Sequence, residues 1–114
     1  MLNSARLVTV TELNDGGKVE LELGEILEFD LYENPSTGFR WHLEVEQDGL
    51  LQALAHDFQV YSSAVGGGGR MHLRLVSQAA GATSVHAISA RSWQRDAAGS
   101  KRLSITVCIK PARD

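Results

Sequence analysis

This chain of 114 residues has little of several things, and each shortage excludes something. It has one cysteine, Cys108, so no internal disulfide can form and no cysteine-based zinc knuckle can be built. Basic charge is not in excess: 11 Lys and Arg stand against 14 Asp and Glu, a net of −3. The basic residues are scattered until a modest group near the C-terminus, so no basic stripe awaits a phosphate backbone, and nucleic acid is not the expected partner. No apolar run reaches the roughly 18 residues of a membrane span, so no membrane partner is expected. The opening residues, MLNSARLVTV, lack the basic and then apolar pattern of a signal peptide. As written, the chain is expected in the cytoplasm; as the mature form of a longer precursor it would be periplasmic or secreted. Proline is down to Pro35 and Pro111. Aromatic residues make up only 6%.

What is present is ordinary for a folded domain: 43% hydrophobic and 22% charged residues. That length and composition predict one domain over 1–114. Helical periodicity is weak and alternation of period two is strong. Val19, Leu21 and Leu23 alternate with glutamates, and Leu27, Phe29 and Leu31 with Glu28, Asp30 and Tyr32. Trp41, Leu43 and Val45 repeat the pattern, as do Met71, Leu73 and Leu75, and then Leu103, Ile105, Val107 and Ile109. Residues 7–11, 58–61 and 84–90 read as further strands with less clean patterns, and 50–55 as a helical turn or an irregular connection. Turn residues divide these runs, among them Asn14-Asp15-Gly16-Gly17, Asp48-Gly49 and Gly81. The sum is an all-β protein, an antiparallel β-sandwich of seven to eight strands.

Three stretches break the strand pattern with residues that could carry chemistry. The first is Asn34-Pro35-Ser36-Thr37-Gly38-Phe39. Pro35 fixes its own φ and holds Asn34 extended, and Gly38 permits a conformation closed to other residues. The loop is therefore stiff and presents Ser36 and Thr37. The second is Gly66-Gly67-Gly68-Gly69. Arg70-Met71 follows where a phosphate loop needs Lys and then Ser or Thr, so phosphate binding is excluded. Four glycines suit either a mobile hairpin tip or a backbone lying close against another surface. The third is Arg91-Ser92-Trp93, where a large apolar ring stands in a polar loop. Arg and Trp are frequent anchors of binding interfaces.

The remaining candidates are weaker. His42, His56, His72 and His86 do not converge by spacing; His42 and His72 fall on outward phases and read as solvent-exposed. Cys108 has no base beside it in sequence, and neither Ser36 nor Ser92 has a nucleophile-elbow context. A hydrolase therefore lacks a nucleophile–base pair, and the chain reads as not an enzyme. A non-enzymatic adhesion or carbohydrate-binding sandwich is the alternative; it would use sheet-face aromatics, whereas most of those present fall on inward phases.

Taken together, the three loops in this order resemble the chagasin-like family of cysteine-peptidase inhibitors. That family carries an N-P-T-T-G loop, a G-x-G-G loop and an R-P-W loop on an immunoglobulin-like sandwich. The counterparts are Asn34-Pro35-Ser36-Thr37-Gly38, then Gly66-Gly67-Gly68-Gly69, then Arg91-Ser92-Trp93, with Ser92 in place of the family's proline. Phe39-x-Trp41 and the ending Ile109-Lys110 also look like the family. The resemblance covers residues 21–110. It implies an inhibitor of papain-like cysteine peptidases that needs no cofactor or metal. The first loop, with Phe39, would enter the active-site cleft, with Pro35, Ser36, Thr37 and Gly38 nearest the catalytic pair. The glycines would approach one wall, and Arg91, Ser92 and Trp93 the other. A monomer is expected, because such a wedge needs its loop end free.

Overall fold

The computed structural model describes residues 6–54, 56–60, 68–91 and 100–112. Nine strands are found among them: β1 (Leu7–Val10), β2 (Lys18–Glu22), β3 (Ile26–Glu33), β4 (Phe39–Val45), β5 (Leu51–Ala53), β6 (Asp57–Val60), β7 (Gly69–Ser77), β8 (Gly81–Arg91) and β9 (Lys101–Lys110). They form two sheets. One runs β1-β3-β7, with β5 and β6 both pairing the far side of β7; the other runs β2-β9-β8-β4. This is the two-sheet arrangement of an immunoglobulin-type sandwich.

The predicted alternation decides which face of each strand is buried. Leu27, Phe29 and Leu31 of β3 meet Leu103, Ile105, Val107 and Ile109 of β9, with Val85 and Ala87 of β8 beside them. Trp41 is buried among them, as its phase predicts. Leu23 breaks the expectation. β2 ends at Glu22, and Leu23 turns outward with Gly24, leaving it 39% exposed.

Two further differences have physical reasons. Residues 50–55, expected as a helical turn or an irregular connection, contain β5, whose Leu51, Gln52 and Ala53 pair with Ser77, Val76 and Leu75. Three residues are too few for a period to show. Pairing is also parallel at two edges, β1 with β3 and β2 with β9. The N-terminal segment lies first along one sheet. It then passes through the turn at Glu12–Asn14 and Gly16 and joins the other sheet. All other pairings among the described residues are antiparallel.

Candidate functional site

Strand register brings the strand ends that bound the three connections to one end of the sandwich. Glu33, the last residue of β3, stands opposite Gly69, the first of β7, and Gly69 also faces Val60 at the end of β6. In the other sheet Phe39, the first residue of β4, faces Arg91, the last of β8. Ser89 faces Lys101 at the start of β9. The connections β3–β4, β6–β7 and β8–β9 therefore leave from the same pole.

The first loop is braced from within. Pro35–Thr37 form one 3₁₀ turn capped by Asn34, and Gly38 closes it at φ +81°, in the left-handed region that its missing Cβ permits. The Asn34 side chain accepts the Ser36 N–H at 3.1 Å and the Ser36 hydroxyl at 2.7 Å. The Thr37 hydroxyl donates to the Asn34 carbonyl at 2.7 Å and accepts the Phe39 N–H at 3.3 Å. Pro35, Ser36, Thr37 and Gly38 remain exposed. The small polar residues thus spend their hydrogen bonds on the loop itself and leave a rigid, water-facing tip.

Arg91 ties the third stretch to the first. Its Nε donates to the Thr37 carbonyl at 3.2 Å, and its guanidinium lies over the Phe39 ring, 4.8 Å from the centroid. The glycine stretch meets the same corner. A Cβ on Gly68 would overlap the Tyr32 hydroxyl, and one on Gly69 would overlap the Gln59 carbonyl, so both positions require close backbone approach. Gly66, Gly67, Ser92 and Trp93 lie outside the described residues.

Residues that sequence reasoning passed over hold this end in place. Glu33 is buried, and its carboxylate accepts the Trp41 N–H at 2.9 Å; the Trp41 indole N–H donates to the Tyr32 carbonyl at 2.7 Å. The two bonds pin the first loop at both feet and join the sheets. The available signal was phase: Glu33 continues the inward series Leu27, Phe29, Leu31, where a carboxylate needs a partner. Glu12 braces the same strand, accepting the Tyr32 N–H at 2.6 Å and Arg70 at 3.1 Å.

One of the two outward-phase histidines departs from what alternation suggested. His42 is exposed, but His72 is only 12% exposed, between Asp57 at 3.2 Å and Asp30 at 3.5 Å. Long charged neighbours cover this outer sheet face. A hydroxyl–imidazole–carboxylate chain also exists, although none was evident in the sequence. His86 lies 2.7 Å from the Ser104 hydroxyl through Nδ1 and 2.7 Å from Glu46 through Nε2. It lies on the outer face of a sheet. The Ser104 N–H is taken by Asp15, so it is not available to a reacting oxygen.

The sequence matches the Chagasin family peptidase inhibitor I42 over residues 20–107. The chain belongs to this family. It is a chagasin-family cysteine-peptidase inhibitor and not an enzyme. It is 28% identical over 101 residues to chagasin of Trypanosoma cruzi, covering 84% of this chain and 92% of that one. The inhibitor's fold is shared with solved structures. The cysteine protease inhibitor EhICP2 of Entamoeba histolytica superposes with a TM-score of 0.82 at 19% identity, over 95% of this chain and 99% of that one. Amebosin does so at 0.74 and 22% identity, over 94% of this chain and 100% of that one. PbICP-C, solved in complex with falcipain-2, gives 0.60 at 20% identity, over 96% of this chain and 94% of that one.

Proposed function

We propose that this inhibitor blocks papain-like cysteine peptidases as a single-domain wedge, with Asn34–Phe39 seated in the active-site cleft. Gly66–Gly69 approach one wall of the cleft, and Arg91, Ser92 and Trp93 the other. The observation that carries this reading is the internal bracing of an exposed 3₁₀ loop at the pole where the other two connections also emerge. A cleft built for an extended chain is filled by a turn whose backbone is already fixed. The ordering entropy is lost on folding rather than on binding. Three loops at one pole can together reach the ~1,600 Å² of a standard interface. The solved complex of PbICP-C with falcipain-2 supports a peptidase as the partner class.

Titrating the chain against papain while following turnover of a small substrate tests the proposal. Activity is expected to fall stoichiometrically. Thr37→Arg puts a long cation on the exposed tip. It is expected to raise the inhibition constant at least on the order of a hundredfold, with a stability loss of only about 1 kcal/mol from the lost loop bonds. Full inhibition by Thr37→Arg would remove the first loop from the cleft.

A further inference from the structure

β4 closes one edge of its sheet, and among the described residues no strand pairs its outer side. The Glu46 N–H donates to the Ser84 carbonyl of β8, which fixes the phase of the ladder. Arg40, His42 and Glu44 therefore direct their backbone groups toward β8, while Phe39, Trp41, Leu43 and Val45 direct theirs outward. Two of these outward donors are already used. The Phe39 N–H goes to Thr37 and the Trp41 N–H to Glu33. Leu43 and Val45 keep outward N–H groups with no acceptor among the described residues. Behind this edge a cavity of about 480 Å³ opens between the sheets, lined by Trp41, Leu43, Val45, Leu51, Leu54 and Leu73 among others. Leu54 on its rim is 39% exposed.

The side chains on the outer face of β4 read Arg40, His42, Glu44, Glu46, basic then acidic. Such an order is complementary to itself when reversed. We infer that β4 pairs antiparallel with β4 of a second copy of this chain, about a two-fold axis at Leu43. In this register Arg40 faces the second copy's Glu46, and His42 faces its Glu44. The Leu43 residues exchange N–H and carbonyl, and each Val45 N–H reaches the Trp41 carbonyl of the other copy. The Trp41 N–H that would complete each of these pairs stays with Glu33, so the Val45 carbonyl of the other copy goes without it.

Neighbouring registers fail. Centring on His42 calls on the Phe39 N–H held by Thr37 as well as the Trp41 N–H held by Glu33, and stacks His42 on itself. Centring on Glu44 opposes two glutamates, and centring on Val45 opposes Glu44 to Glu46. The inference is independent of the proposed cleft contacts. It also respects them, because reversed strands carry the two loop ends to opposite poles and leave both free.

Sedimentation velocity over a dilution series tests the pairing. The wild-type mass is expected to rise reversibly from 12.4 kDa toward twice that value with concentration. Arg40→Glu and Glu46→Arg each set like charges opposite, and each is expected to weaken self-association on the order of tenfold. Mixed in equal amounts, the two variants are expected to form a heterodimer, because every opposed pair is then complementary. The double variant Arg40→Glu/Glu46→Arg is expected to pair with itself again. Circular dichroism of each variant checks that the fold is kept. A wild-type chain monomeric at every concentration overturns the inference and leaves the edge to an extended segment of another protein. Single variants that associate as well as the wild type overturn the register.

Discussion

The guanidinium of Arg91 serves two loops at once. It leaves the end of β8, donates to the Thr37 carbonyl and stacks on Phe39, so the first loop is tied to the end of β8 before any partner arrives. A charged donor to a carbonyl contributes about 1.5–3 kcal/mol, and an exposed cation over a ring about 0.5–1 kcal/mol. Arg91→Ala is accordingly expected to weaken inhibition on the order of tenfold and to lower the melting temperature by a few degrees, less than those figures imply because Arg91 is exposed and outside the core. Arg91→Lys is not expected to restore it, because an ammonium lacks the flat stacking face. Inhibition constants of the three forms decide the matter; an unimpaired Arg91→Ala means the first loop holds its shape alone. The sequence showed Arg91 as a candidate, but not this use of it. Its partner Thr37 is 54 residues away, and no local spacing reports such a pair. Asn34, Pro35 and Gly38 were legible because their constraints are local: a cap, a fixed φ and a left-handed closure.

At the level of elements, legibility followed burial on one face or two. β2, β3, β7 and β9 are covered mainly on one side, and their alternation was plain. β8 lies between β9 and β4, and its outer face is covered too: Ile88 is 6% and Ala90 0% exposed, so its pattern blurs into a continuous run. Glu33 was legible by phase yet needed the structure to show that it caps β4. The glycine stretch was legible as unusual, and the structure supplies the cause at its described end. Gly69 is pressed against the Gln59 carbonyl where β6 meets β7, whereas Gly68 is pressed against a tyrosine ring. Backbone cannot yield as a side chain can. Gly69→Ala is therefore expected to part the end of β6 from β7 and to lower stability by about 1–3 kcal/mol, in the range of overpacking. Gly68→Ala is expected to cost less in stability and instead to displace Tyr32 beside the first loop. Denaturant melts and amide exchange of Asp57–Val60 separate the two. Equal losses from both substitutions would show that β6 is not held by close approach at Gly69.

For the whole molecule, the N-terminal segment is the brace that joins the sheets, and its charges set how the fold responds to acid. Arg6 reaches Glu25 through two bonds of 3.0 Å, and Glu12 links the turn after β1 to Tyr32 of β3 and Arg70 of β7. The Arg6 guanidinium, and next the Glu22 N–H, hold the Glu25 carboxyl below its ordinary value. Burial pushes Glu12 upward, but the Tyr32 N–H, its own N–H and Arg70 together outweigh it, and its net shift is also downward. A carboxyl depressed in the folded state binds its proton more readily once unfolded. Its contribution is complete above the unfolded value of about 4.3 and is lost as the pH falls through the lower, folded value. Both carboxylates are reached by solvent and are partly screened, so each effect is modest. Glu12→Gln/Glu25→Gln is expected to be less stable than the wild type at neutral pH, and to lose less on acidification. The two stability curves should converge below about pH 4. Melting temperatures of both proteins across the acid range measure this directly. Curves that stay parallel would place the acid sensitivity of the fold elsewhere than in the N-terminal brace.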